Sequence, residues 1–85
     1  MIGDILEIEE ENGALKKYNV LFKFDELDSN EHYVVYTDYS KSNDGNFNIS
    51  ARQYSIESEK IELTEVKHQE VKDYIKNKLN ELLSN

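Results

Sequence analysis

Apolar and polar positions alternate along most of the chain before switching to a helical period near its end. Ile5-Leu6-Glu7-Ile8 sets Leu6 and Ile8 on one side and predicts a short strand. Asn12-Gly13 follows, and this pair favours a hairpin because both residues tolerate positive φ. Tyr18, Val20, Phe22 and Phe24 then alternate with Asn19, Leu21 and Lys23, which predicts one unbroken strand with an aromatic face. Asp25 to Asn30 reads as a polar turn. Tyr33-Val34-Val35-Tyr36 is β-branched or aromatic on both sides, the pattern of a central strand buried on two faces. Thr37 to Asn46 is polar and predicts a ten-residue loop, the longest break in the chain.

Phe47, Ile49 and Ala51 alternate inward, whereas the next large residues, Tyr54 and Ile56, have the opposite parity. A bulge or strand end near Arg52-Gln53 would reconcile the two sets. Ile61 and Leu63 mark a last strand after a turn at Glu57-Ser58-Glu59. From there Val71, Tyr74, Ile75, Leu79, Leu82 and Leu83 fall on one helical stripe. Glu70 stands in the first turn with lysines after it, a placement that suits the helix dipole. The pattern predicts a single α+β domain over residues 1–85. It consists of an antiparallel sheet of about five strands, mostly a meander, between about residues 4 and 66. One C-terminal amphipathic helix, about residues 68–84, packs on one face of that sheet.

Length and composition narrow the rest. Eighty-five residues leave room for one domain of ordinary size. The absence of cysteine excludes disulfides and thiolate metal sites as supplements to a small core. The formal net charge is −8, with Asp4, Glu7, Glu9, Glu10 and Glu11 crowded near the N-terminus. Nucleic acids and anionic membrane surfaces are poor partners for such a chain, and a basic protein partner suits it better. The first residues carry neither the basic nor the apolar region of a signal peptide, and no apolar run approaches the roughly 20 residues of a membrane span. A cytoplasmic protein is expected. Lysine outnumbers arginine nine to one, and proline and tryptophan are absent, a bias that suggests an AT-rich genome.

An ordered set of segments carries a family likeness. Tyr33-Val34-Val35-Tyr36-Thr37-Asp38, then Asn43-Asp44-Gly45-Asn46, then Ala51-Arg52-Gln53-Tyr54, resembles the small bacterial family catalogued as domain of unknown function 1292. The Asn-Gly hairpin before these segments, and the Leu63–Val66 segment and acidic-lysine helix after them, follow in the same order. The likeness spans roughly Ile5 to Leu83. Val71 stands where the family often has tryptophan, and the family's proline before the helix is missing. The resemblance implies a cytosolic protein of Gram-positive-type bacteria and brings no catalytic residues with it.

Candidate chemistry is sparse. Aligning Gly45 with the glycine of a calcium-binding loop places Ser40 and Ala51 where the anchoring carboxylates belong, so the loop reads as an Asn-Asp-Gly turn. His32 and His68, with nearby loop carboxylates, are the residues that a small metal-dependent or acid/base enzyme would use. His68 and Glu70, however, are two apart and do not share a helix face. The three glycines form no phosphate cradle or nucleophile turn. No cofactor, metal or catalytic residue is expected.

Nine aromatic residues remain to be placed. Aromatics on a sheet can stack bases, but the basic flank that would hold phosphates is missing. One helix covers only one face, so Leu21, Val34, Tyr36 and Tyr54 are expected on a partly apolar open face that binds a protein partner or a second copy. The leading expectation is a non-catalytic interaction or accessory module. The enzyme using His32 and His68 is the alternative, and nucleic-acid binding is third.

Overall fold

The computed structural model describes residues 4–26, 30–57 and 60–83. It contains strands β1 (Ile5–Glu9), β2 (Leu15–Asp25), β3 (His32–Lys41), β4 (Phe47–Glu57) and β5 (Lys60–Glu65), then helix α1 (Gln69–Leu83). All neighbouring strands pair antiparallel in the order β1-β2-β3-β4-β5, a pure meander. The architecture is therefore the expected α+β sheet with one C-terminal helix.

The hairpin at Asn12-Gly13 forms for the reason its sequence suggests. Gly13 adopts φ 83°, a conformation that costs other residues a Cβ clash. Its amide donates to the Glu10 carbonyl at 2.9 Å, and Asn12 Oδ1 accepts from the Ala14 amide at 3.0 Å. The turns expected at Asp25–Asn30 and Glu57–Glu59 fall partly or wholly on residues 27–29 and 58–59, which lie outside the described residues. So does the last expected helical residue, Ser84.

Three expectations of register are corrected. The first concerns β2, where Val20 pairs with Tyr36 and Phe22 with Val35, leaving Leu21 as an extra residue. This bulge moves Tyr18 and Val20 to one face and Phe22 and Phe24 to the other, so the four do not form one aromatic face. The second concerns β4, which needs no register change at Arg52-Gln53. Its pairing with β3 is continuous from Ile49 to Tyr54, and with β5 from Arg52 to Glu57. Ile49 and Ala51 face the helix while Tyr54 faces away, because both faces of the sheet are apolar.

The third correction concerns the ten-residue loop. β3 continues to Lys41, and only the segment from Ser42 to Asn46 lies between the two strands. An irregularity between Thr37 and Lys41 accompanies the positive φ of 62° at Tyr39. Buried Thr37 stabilises it: its Oγ1 donates to the Asn48 carbonyl at 2.7 Å and accepts from the Tyr39 amide at 3.0 Å.

Two hydrophobic clusters lie on the two faces of β3. On the helix side, Tyr33 and Val35 pack with Val71 and Ile75, flanked by Leu21, Phe22, Phe24, Ile49, Ala51, Val66 and Leu79. On the other side, Leu6, Val34 and Tyr36 pack with Ile8, Tyr18, Val20, Tyr54, Ile61 and Leu63. The helical stripe is only partly covered: Val71 and Ile75 are buried, whereas Leu83 is 61% exposed. Tyr74 leans on Phe24, with ring centroids 4.8 Å apart. The last turn of α1 carries no basic residue, so the lysines complement the dipole less than expected.

Candidate functional site

The second cluster shows what covers the face that the helix leaves bare. In a flat five-stranded sheet, β1 and β5 would lie about 19 Å apart at roughly 4.8 Å per strand. Here Leu6 and Ile8 of β1, and Ile61 and Leu63 of β5, all pack around Val34 and Tyr36 of the central strand. The sheet curls, and its two edge strands lie over its own concave face. Val34 is 0% exposed and Tyr36 5%.

The expected open face at Leu21, Val34, Tyr36 and Tyr54 is therefore corrected. The bulge turns Leu21 to the helix side, away from the other three. Val34 and Tyr36 are buried beneath the edge strands, and of the three residues on this face only Tyr54 retains partial exposure, stacked on His32 with centroids 5.5 Å apart. Curling was hidden from a one-dimensional pattern, because alternation assigns residues to faces but does not say how strongly the sheet bends.

Besides a small pocket at His32, Tyr54 and Ile56, the concave side keeps an accessible groove between β1 and β5. One stretch is a cavity of about 230 Å³ lined by Leu6, Glu7, Ile8, Glu9, Ile61 and Leu63. A larger stretch of about 720 Å³ shares Ile8, Glu9 and Leu63 with it, so the two form one groove. Tyr18, Tyr36, Ser50 and Arg52 also line the larger stretch, as do Glu10, Glu11 and Asn12 of the β1–β2 turn. Burial pushes the Tyr36 phenol above its usual pKa, while the charge of Arg52 and a Ser50 hydrogen bond oppose that shift.

Arg52 is the chain's sole arginine and sits half-buried in this groove. Its Nη1 donates to the Ala51 carbonyl at 2.8 Å. Among the described residues it forms no ion pair, although Glu65 faces it in register on β5. Sequence alone did not single out Arg52, whose place in the groove depends on the curl.

The two histidines lie near different carboxylates. His32 Nδ1 lies 2.6 Å from Asp25 Oδ1, and His68 Nε2 lies 3.9 Å from Glu31 Oε2, so each has its own carboxylate. Glu31 Oε2 also accepts the Tyr33 hydroxyl at 2.7 Å, with Glu26 Oε2 3.4 Å from the same oxygen. Burial first, and then the bond to Glu31, push the Tyr33 phenol above the ordinary tyrosine range.

The loop carboxylates are tied locally. Asp38 accepts from the Ser40 hydroxyl and amide at 2.6 and 2.9 Å and pairs with Lys16 Nζ at 2.9 Å. Those contacts, Ser40 foremost, hold its carboxyl far below the usual range. Asp44 accepts from the Ser42 hydroxyl and the Asn46 amide, closing the turn in which Gly45 has φ 84°. Among the described residues, no three histidine, aspartate or glutamate side chains converge as a metal site.

No family profile, curated protein or solved structure matches the chain. Among the described residues, no helix is long and apolar enough to cross a membrane.

Proposed function

We propose that this protein is a non-catalytic, cytoplasmic protein-interaction module whose binding site is the groove between β1 and β5. The observation that carries this reading is the placement of both sheet edges along one groove with an apolar floor. The Asp4 carbonyl accepts from the Val20 amide at 2.9 Å, which fixes the phase of the β1–β2 ladder. Antiparallel alternation then turns the main-chain groups of Ile5, Glu7 and Glu9 towards the outer edge. An extended segment laid there gains main-chain hydrogen bonds as well as apolar contacts with Ile8, Ile61 and Leu63.

Charge favours a basic partner segment. Glu7, Glu9, Glu10 and Glu11 border the groove, and Glu62 and Glu65 lie on β5, so a second copy of this acidic chain would meet repulsion. Membership in the domain of unknown function 1292 family is part of the same proposal. It rests on three segments that fall on β3, the β3–β4 turn and β4.

A photo-crosslinking residue placed at Ile8 or Leu63, and at Lys76 on the exposed side of α1 as control, tests the site in extracts of the source cell. A discrete adduct from Ile8 and Leu63, with none from Lys76, is expected. Equal labelling at all three positions would sink the groove as the binding site.

A further inference from the structure

We propose that the groove takes the free C-terminal end of a basic, extended protein segment, with its terminal carboxylate seated on Arg52; this rests on the reading of the groove as a protein-binding site. The guanidinium is the one strongly directional cation on the groove lining. It has five N–H donors in a planar fork that matches a carboxylate two bonds at a time. Its protein acceptor is the Ala51 carbonyl, and none of the acidic residues around the cavity lies within ion-pair distance among the described residues. Tyr36 and Ser50 line the same cavity.

The surrounding charges determine which anion fits. Glu9, Glu10 and Glu11 line the same cavity. A phosphate dianion would bring two negative charges towards them, whereas one carboxylate on a lysine- or arginine-rich body is drawn to both charge types. The dimensions favour a chain end over a free amino acid. The groove continues past Ile8 and Leu63 into the second stretch beside Leu6 and Ile61, and the five residues of β1 extend about 17 Å. At the Arg52 end, the Glu10–Asn12 turn borders the cavity. A carboxyl terminus there sets the segment parallel to β1.

The test uses a hexapeptide of alternating lysine and valine with a free C-terminal carboxylate. It is compared with its C-terminal amide, a glutamate-for-lysine version and free lysine. Binding to the whole protein is followed by amide chemical shifts. The free acid is expected to shift Ile8, Arg52 and Leu63 and to bind about tenfold or more tighter than the amide, the scale of one charge-assisted fork. Arg52→Gln, checked for an unchanged melting temperature, should erase the acid–amide difference.

Equal affinity of acid and amide overturns the carboxylate assignment, and that comparison needs no variant. If both shift Ile8 and Leu63, the groove itself survives as a peptide site. Stronger binding of free lysine than of the hexapeptide overturns the choice of a protein terminus. If none of the probes binds, this inference falls, while crosslinking at Ile8 and Leu63 decides the groove separately.

Discussion

Val34 and Val35 are adjacent in β3, each is 0% exposed, and they belong to different hydrophobic clusters. Val35 packs under the helix and Val34 under the edge strands. Replacing either by alanine removes buried methyl groups and should cost about 2 kcal/mol. Urea unfolding of Val34→Ala and Val35→Ala checks this. A near-zero change for Val34→Ala would mean that the concave face is open after all.

The bulge at Leu21 predicts an unusual tolerance. Deleting Leu21 leaves Val20 opposite Tyr36 and Phe22 opposite Val35, with the ladder made regular. The deletion variant should fold, losing only the contribution of one half-buried leucine, about 1–3 kcal/mol. Deleting Gln53 from the continuous ladder of β4 instead exchanges the faces of every residue beyond it and should prevent folding. Circular dichroism melts of the two variants compare them directly.

Tyr33 predicts a loss of stability in base. Its folded-state phenol is raised, so the neutral form stabilises the fold below the unfolded pKa of about 10. That contribution is lost as pH rises through and above this value. Tyr33→Phe should flatten the fall of stability with pH above about 10 by up to one proton, and cost roughly 1 kcal/mol near neutrality for the bond to Glu31. Urea midpoints across alkaline pH test both parts.

Asp38 predicts the opposite limb. Its folded-state carboxyl is depressed, so its contribution is complete above the unfolded value of about 4 and declines as pH falls below it. Asp38→Asn should make acid unfolding less steep below about pH 4. An unchanged acid profile would show that the Ser40 and Lys16 contacts do not hold in solution.

The two ends of α1 should respond differently. Ile75→Ala removes a buried contact with the helix-side cluster and should cost about 2–4 kcal/mol. Leu83→Ser, at the exposed end of the stripe, should stay within about 0.5 kcal/mol. Thermal melts of both variants measure the difference.

Element type and order were legible because alternation, Asn12-Gly13 and the stripe from Val71 are local signals. The central place of Tyr33–Tyr36 followed from apolar residues on both sides of one short run. The register was less legible. A bulge is inserted where packing favours Phe22 and Phe24 under the helix, and nothing local at Leu21 announces it. The parity switch in β4 looked like a break because one buried face was assumed, whereas Ala51 and Tyr54 each have a cluster to join. The groove was illegible for a related reason: Ile8, Arg52 and Leu63 belong to different strands, and only the bend of the sheet brings them onto one cavity.

If the groove binds a strand as proposed, that bend would also limit how many chains assemble on this fold. A flat sheet has edges pointing away from each other, and strands can add at both sides without end. A strand bound in the groove as proposed would lie beside β1 with β5 on its other flank, so that addition would close the sheet instead of lengthening it. On the proposed binding mode, the stoichiometry would be one strand per molecule, with no edge left in the groove for the next.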